Sequence, residues 1–506
     1  MHHLSLLLLL PIFGAIIIAV LPNTASGLVR KTAITFSSLA LLLSWSLFFS
    51  FDTSFAGMQF VENYPWNPRL GTSFSLGIDG LALPMILLAT LLCLVAIMAS
   101  TNIKKQVKSY YLFMLLLESA MLGVFMAQDW TLFYLFWEFT LIPLFFLIDR
   151  WGGEKRHTAS LNFFLYTMGG SVFMLLSILL LFDASPHHSF AMADIAESGA
   201  KLDTDTQILI FLGLLIGFGV KMPIFPIHAW LPLAHVQAPS PVSILLSGIL
   251  LKMGSYGLIK AALTLPGAVI ALQNMLAAIA LFSMIYGGVL AWKQTDLKRM
   301  IAYSSVSHMG VVLLGIATLN AAGISGAIAQ MVAHGLVAGA LFLLIGLLYE
   351  RTHTREISHY SSLIRITPKF ALFIILASVA AVGLPGTIGF IAEFHILIGG
   401  FEQWGWLVII LTLGVLISAT YSIRTVTRLF TGPVNKDMYK VKDLQKMETV
   451  LATVLVFGIY YLGFFPAELM SLISASVNEM SNTFITFQPA TPSLEAGVIH
   501  LDSAQR

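Results

Sequence analysis

Apolar positions in this chain come in long blocks. Fourteen apolar runs, at about 4–21, 32–50, 81–99, 110–127, 130–148, 158–182, 207–229, 241–264, 268–292, 300–319, 323–349, 368–398, 406–429 and 449–466, are separated by shorter polar stretches. A helix needs roughly 20 apolar residues to cross a bilayer. The pattern predicts an all-α integral membrane protein of about fourteen spanning helices. Beyond 467 the tail turns more polar, with one amphipathic stretch and then a loose end holding Pro489 and Pro492.

Two runs are interrupted alike. The seventh reads Lys221-Met222-Pro223-Ile224-Phe225-Pro226 and the twelfth Gly383-Leu384-Pro385-Gly386-Thr387-Ile388-Gly389. Proline removes a backbone donor and breaks a helix. Broken backbone at membrane depth persists only where protein or water covers it. The breaks lie five runs apart, and an odd offset turns the second copy upside down. The reading is two inverted five-helix repeats, runs 4–8 and 9–13, since paired broken helices point to a transporter's working site. The predicted organisation is 1–109 (three leading helices), 110–264 (first repeat), 265–429 (second repeat) and 430–506 (last helix and tail).

Charge sets the orientation. Lys and Arg gather in the odd-numbered loops, among them Arg30, Lys31, Lys104, Lys105, Lys108, Arg150, Lys155, Lys293, Lys298, Arg299, Arg351, Arg355, Lys436 and Lys440. The even loops hold little beyond Arg69 and Lys201, beside acids such as Asp52, Glu62, Asp194 and Asp203. The odd loops are therefore expected on the cytoplasmic side and both termini on the other.

Of 506 residues, 58% are hydrophobic and 10% charged, against about 25% charged in soluble domains, so lipid is the expected solvent for most of the surface. The net charge of +2 comes from loop residues, and no nucleic-acid partner is expected. A single cysteine, Cys93, excludes an internal disulfide, a Cys-ligated iron–sulfur cluster and a Cys-rich zinc site in this chain. The start, Met1-His2-His3-Leu4, lacks the basic segment of a secretory signal, so the first run is expected to be retained. No phosphate-binding glycine loop is present.

Against this apolar background, mid-run ionisable groups stand out: Glu118, Glu138, Lys221, Lys252, His308, His334 and Glu393. Each costs about 2.5–3.5 kcal/mol on insertion scales. Glu138 is too central to reach either surface, and Lys221 opens the first break, so the two are expected to form an ion pair in a wet cavity. Opening and closing a pair worth about 2.7 kcal/mol, two units at 1.36 each, matches the roughly 2.3 kcal/mol needed to move one charge through 100 mV. Lys252 would be the next proton carrier, His308 and His334 a relay, and Glu393 the last acceptor. A static Glu138–Lys221 pair, a Lys252 that packs on carbonyls, and core or haem-ligating histidines are the competing readings. Glu118 leaves both proton transfer and a structural role open. His228 and His235 read as structural residues near one mouth.

The stretches Phe136-Trp137-Glu138, Ile142-Pro143, Lys221-Met222-Pro223, His228-Ala229-Trp230-Leu231-Pro232, Leu250-Leu251-Lys252-Met253-Gly254, Tyr303-Ser304-Ser305-Val306-Ser307-His308, Met331-Val332-Ala333-His334-Gly335 and Gly389-Phe390-Ile391-Ala392-Glu393-Phe394 resemble the antiporter-like membrane subunits of complex I, M-type, over nearly the whole chain. The resemblance implies a proton-translocating subunit of an NAD(P)H or ferredoxin:quinone oxidoreductase. Glu138 and Lys221 would be its pair, Lys252 its central lysine, His308 and His334 its relay, and Glu393 its terminal group, which is lysine in the L- and N-type relatives. Leu233 stands where the family often has aspartate. The runs Phe139-Thr140-Leu141-Ile142-Pro143, Asp149-Arg150-Trp151-Gly152-Gly153 and Asn162-Phe163-Phe164-Leu165-Tyr166-Thr167-Met168-Gly169-Gly170 look like the cyanobacterial D-type form used in CO2 uptake. That likeness implies a thylakoid membrane, with a bacterial inner membrane as the alternative, and plastoquinone as acceptor. NAD(P)H or ferredoxin, iron–sulfur clusters and quinone would sit in partner chains, with no cofactor or metal in this one. Neighbouring antiporter-like subunits would be its partners. An Mrp-type sodium/proton antiporter subunit is the alternative from the same fold stock.

Overall fold

The computed structural model describes residues 2–67 and 69–487, apart from the side chains of 407, 436 and 437. Pro489 and Pro492 lie outside the described residues. Two helices open the chain, α1 (His3–Val20) and α2 (Ser26–Ser50), followed by an antiparallel hairpin, β1 (Gln59–Asn67) and β2 (Thr72–Ile78). Next come α3 (Ala82–Ala99), α4 (Val107–Met126), α5 (Trp130–Phe139), α6 (Leu141–Trp151), α7 (Arg156–Ala184), α8 (Met192–Ala200) and α9 (Thr204–Lys221). The middle of the chain forms α10 (Trp230–Gln237), α11 (Ser240–Leu245), α12 (Leu251–Thr264), α13 (Pro266–Ala271), α14 (Gln273–Lys293), α15 (Leu297–Ala317) and α16 (Ala321–Thr352). The rest is α17 (Leu363–Ile366), α18 (Pro368–Ala381), α19 (Ile388–Trp404), α20 (Ile410–Phe430), α21 (Lys446–Phe464) and α22 (Ala467–Phe487).

Among the described residues, thirteen helical segments are long and apolar enough to cross a membrane. The shorter α18 accounts for the remaining predicted run. The amphipathic tail stretch is α22, whose Leu469, Leu472, Ile473, Val477 and Phe484 are buried.

The even loops were read as plain connections, and there the structure adds more. The hairpin and α8 fall in them, and α13 begins in another and takes up the start of the ninth run. Glu62 on β1 is 6% exposed and accepts from Leu4 N (2.8 Å) and Ser5 N (3.1 Å), capping the start of α1. Asp129 caps α5 by accepting from Thr131 N and Leu132 N, and ties in β2 through Ser73 N. A lone carboxylate in a polar loop gives no sequence sign that it will cap a helix elsewhere.

Three irregularities position the interior. The span of α5 and α6 is interrupted at Thr140, three residues before Pro143, which lacks the N–H that would close the next turn. The span of α9 stops at Lys221, and Trp230 Nε1 donates to the freed Val220 carbonyl at 2.9 Å. Between α11 and α12 one turn, Leu246–Leu250, is a π-helix. The twelfth run is also broken, between α18 and α19, with Gly383 and Gly386 at φ of +75° and +94°. Helix α16, at 32 residues and about 48 Å, is buried without a break from Gly326 to Leu348 and runs past α3, α11, α15, α18, α19, α21 and α22.

Candidate functional site

The interior holds charges that apolar packing alone would not tolerate. Lys221 is 1% exposed and Lys252 is fully buried. Each has its ammonium hydrogen bonds supplied by one of the irregularities above.

At the Thr140 interruption, Lys221 Nζ donates to Thr140 Oγ1 at 2.8 Å and to Trp137 O at 3.4 Å, and lies 4.0 Å over the Trp137 ring. The expected Glu138–Lys221 ion pair is therefore not closed. Among the described residues no ion pair joins them, and the buried Glu138 Oε1 has no hydrogen-bond partner. The reason is local. The hydroxyl and carbonyl released at the interruption face the end of α9 and take the ammonium in place of the carboxylate. Sequence reasoning missed Thr140, although a hydroxyl just before Ile142-Pro143 was the available sign.

The second group is closed. Lys252 Nζ donates to Ser247 O (2.5 Å), inside the π turn, and to His334 Nδ1 (2.6 Å). His334 Nε2 meets Ser305 Oγ at 3.1 Å, and Ser305 Oγ meets Ser247 Oγ at 3.0 Å. These four residues form a hydrogen-bonded ring drawn from the π turn, α12, α15 and α16. Glycine permits the approach of its two sides. A Cβ on Gly335 would lie 3.0 Å from Gly248 O and 2.5 Å from Leu88 Cδ2, so the helix carrying His334 lies directly against the turn carrying Ser247. Gly254 is equally constrained on the other side. A Cβ there would meet Phe218 O at 2.6 Å and Met222 N at 2.7 Å, which brings α12 against the break that follows Lys221.

His308 lies next to this ring. Its imidazole is 5.4 Å from that of His334, centroid to centroid, and its Nδ1 accepts from Gln330 Nε2 at 3.3 Å. Both nitrogens of His334 are engaged, with Lys252 and with Ser305, leaving none for a haem iron. Among the described residues no group of three His, Cys, Asp or Glu side chains could hold a metal. Glu393, one and a half turns into α19, places its carboxylate over Gly383 at the second break. Close by, Ser418 Oγ and Tyr421 OH are 3.2 Å apart, and Ser418 donates to Ala381 O. Glu118 is fully buried on α4. It accepts from Ser37 Oγ at 3.1 Å, and its Oε2 has no partner.

Two further groups lay outside the sequence expectation. Lys298, counted as a loop cation, is 4% exposed at the start of α15 and donates to Ala238 O at 2.5 Å. His235 is fully buried, with neither ring nitrogen bonded, and stacks 4.6 Å over Phe342. A cavity of about 250 Å³ opens beside Lys298, lined also by Ser240, Glu350 and Arg355. On the opposite side, Lys260 Nζ and Asp79 Oδ2 form a buried ion pair at 2.6 Å. Lys260 lies eight residues after Lys252 on α12, and that recurrence was the overlooked sign.

Comparison with known proteins fits this architecture. Residues 127–418 match the family model described as NADH:quinone oxidoreductase/Mrp antiporter, transmembrane. The chain is 41% identical to NAD(P)H-quinone oxidoreductase chain 4 2 of Thermosynechococcus vestitus, over 92% of its own length and 89% of the relative's. It is 38% identical to NADH-quinone oxidoreductase subunit M of Rickettsia conorii, over 89% and 92%. A chain of respiratory complex I from Thermus thermophilus with bound NADH superposes with a TM-score of 0.87 at 31% identity, covering 95% of this chain and 99% of that one.

Proposed function

From the premise that this chain belongs to the NADH:quinone oxidoreductase/Mrp antiporter transmembrane family, we propose that its buried lysines and histidines carry protons across the membrane. The chain is an M-type, antiporter-like integral membrane subunit of a complex I-type oxidoreductase. The observation that carries the proposal is the ring of Lys252, His334, Ser305 and Ser247. It holds an exchangeable proton in a buried place, bonded on every side, with a second imidazole 5.4 Å away.

The chemistry follows from the bonds. With Lys252 charged, His334 must be neutral and accept at Nδ1. Its other hydrogen then sits on Nε2 and is donated to Ser305. Moving the proton from Nζ to Nδ1 turns His334 into an imidazolium and Lys252 into an amine. His334 can then release a proton from Nε2 through the serine hydroxyl or towards His308. Tyr421 and Ser418 would continue the path to Glu393. On the supply side, Lys298, His235 and the 250 Å³ cavity lead from the odd-loop face. Lys221 is the control. Held on Thr140 its ammonium is paired with neutral acceptors only. Drawn to Glu138 it would become half of a neutral pair, changing the field at α12, which packs against this break at Gly254, and so the readiness of Lys252 to load.

The electrons belong to partner chains. NAD(P)H or ferredoxin as donor, iron–sulfur clusters, plastoquinone as acceptor, a thylakoid location and a role in CO2 uptake are the finer parts of the proposal. They are supported by the likeness to the Thermosynechococcus chain and by the motif runs around Thr140 and Tyr166. The test is the assembled complex in sealed vesicles, with proton uptake followed by a pH-sensitive dye while donor is oxidised. Lys252→Met should remove most of the uptake attributable to this subunit and leave the other subunits of the complex in place. Unchanged uptake per electron would overturn the proposal.

A further inference from the structure

A separate cavity of about 680 Å³ opens on the odd-loop face, between α2, α4 and the end of α6. Its lining brings together four cations, Arg30, Lys104, Lys108 and Arg150, with Ser26 and Ser109, and no acidic side chain lines it. Among the described residues none of the four cations is in an ion pair. They are held instead by neutral groups that leave charge and donors free. Arg30 Nη2 donates to Ile103 O at 2.7 Å, while its buried Nε has no partner. Lys108 Nζ donates to Leu21 O at 2.8 Å with two hydrogens to spare. Arg150 stacks 5.0 Å from the Phe146 ring.

Two helices also begin at this cavity. Ser26 is the first residue of α2, and Lys108 and Ser109 lie in the first turn of α4, and neither helix has a side-chain cap. Uncapped first turns present free N–H groups and the positive end of the helix dipole. Charge, free donors and space converge on one tetrahedral oxyanion. Farther round α2, Leu28, Leu39 and Leu42 are exposed on a side of the helix turned away from Ser26 and Arg30, as expected of a helix that also faces lipid.

We propose that this cavity is a binding site for the headgroup of an anionic membrane lipid, with phosphate or a similar oxyanion among the four cations. The cations stand in the first turns of two spanning helices, at the level where a lipid headgroup is concentrated by the bilayer itself, which favours lipid over free phosphate drawn from solution. The site lies on the face that the loop charges place in the cytoplasm, where anionic lipid attracts basic groups.

The experiment uses the assembled complex, exchanged into bilayers of phosphatidylcholine with a small fraction of phosphatidylglycerol, and counts retained phosphatidylglycerol by native mass spectrometry. One tightly held molecule is expected. It should be lost in the triple variant Arg30→Gln, Lys104→Gln, Lys108→Gln, with binding weakened on the order of 100-fold at about five-fold per removed cation. Lys31→Gln removes a neighbouring charge that does not line the cavity, and should retain the lipid. Inorganic phosphate at millimolar concentration should not displace it. Equal retention in the triple variant and in Lys31→Gln would overturn the proposal, and displacement by phosphate would overturn the choice of lipid. Should the triple variant fail to assemble, Arg30→Gln alone should show about five-fold weaker retention, and unchanged retention there would count equally against it.

Discussion

The ammonium of Lys252 and the Nδ1 of His334 are 2.6 Å apart in a pocket that holds two serines and no carboxylate. A buried cation is usually offset by an anion. Here an imidazole and a carbonyl stand in for one, so the charge is stabilised by donation alone and remains easy to move.

The first prediction concerns that contact. His334→Ala should leave Lys252 bonded only to Ser247 O and lower this subunit's share of proton uptake per electron at least ten-fold, about 1.4 kcal/mol in barrier. His334→Gln offers a carbonyl oxygen to Nζ, so it should replace the lost bond to Lys252 without restoring uptake. Dye-monitored uptake beside donor oxidation in vesicles checks both. Normal uptake in the glutamine variant would show that His334 only positions Lys252.

Thr140 is the second. Thr140→Val removes the acceptor that holds Lys221 and keeps the shape of the side chain. The ammonium must then move to Glu138 or remain under-bonded, at about 1–3 kcal/mol. Uptake should fall several-fold, and Thr140→Ser should behave as the parent. Glu138→Asp, which keeps the charge and shortens the reach, should retain partial uptake, whereas Glu138→Ala should abolish it.

The third is steric. Gly335→Ala would drive a methyl against Leu88 and the Gly248 carbonyl. Overpacking of this kind costs about 1–3 kcal/mol. A lower melting temperature of the purified complex is expected, together with lost uptake, because the same displacement separates His334 from the π turn. Unaltered melting would mean that the helices part without cost.

The Asp79–Lys260 pair gives the fourth. Its side chains are 3% and 9% exposed, and Asp79 also accepts from Leu81 N and Ala82 N at the start of α3. Breaking a buried pair from one side costs about 3–5 kcal/mol. Asp79→Asn should therefore destabilise strongly, and the added Lys260→Met should recover much of the loss. Thermal denaturation of both variants tests this, and equal melting of the single and double variants would contradict it.

The fourteen runs, both breaks and the ionisable members of the central group, Lys252, His308 and His334, were legible in the sequence because each departs sharply from an apolar background. What stayed hidden depended on which way a side chain faces across helices. Thr140 and Ser305 are ordinary hydroxyls until a lysine or histidine from another span meets them. Lys298 lies close to a loop and was counted with it, although α15 turns its ammonium inward. The hairpin from Gln59 to Ile78 was read as a connection because its polar, aromatic pattern lacks clean alternation. Glu138 was singled out, and the structure makes it half-buried with its Oε1 enclosed. Its pair with Lys221 is open here, because a sequence gives the depth of a residue and not its azimuth.

Azimuth is also what the widened turn at Leu246–Leu250 controls. Each residue added to or taken from a helix rotates everything after it by about 100°. The extra residue held in that one turn thus aims Lys252 at His334 and, two turns later, Lys260 at Asp79. Two lysines serving different ends of the molecule share a single phase reference, so a one-residue deletion in the turn would misalign both together.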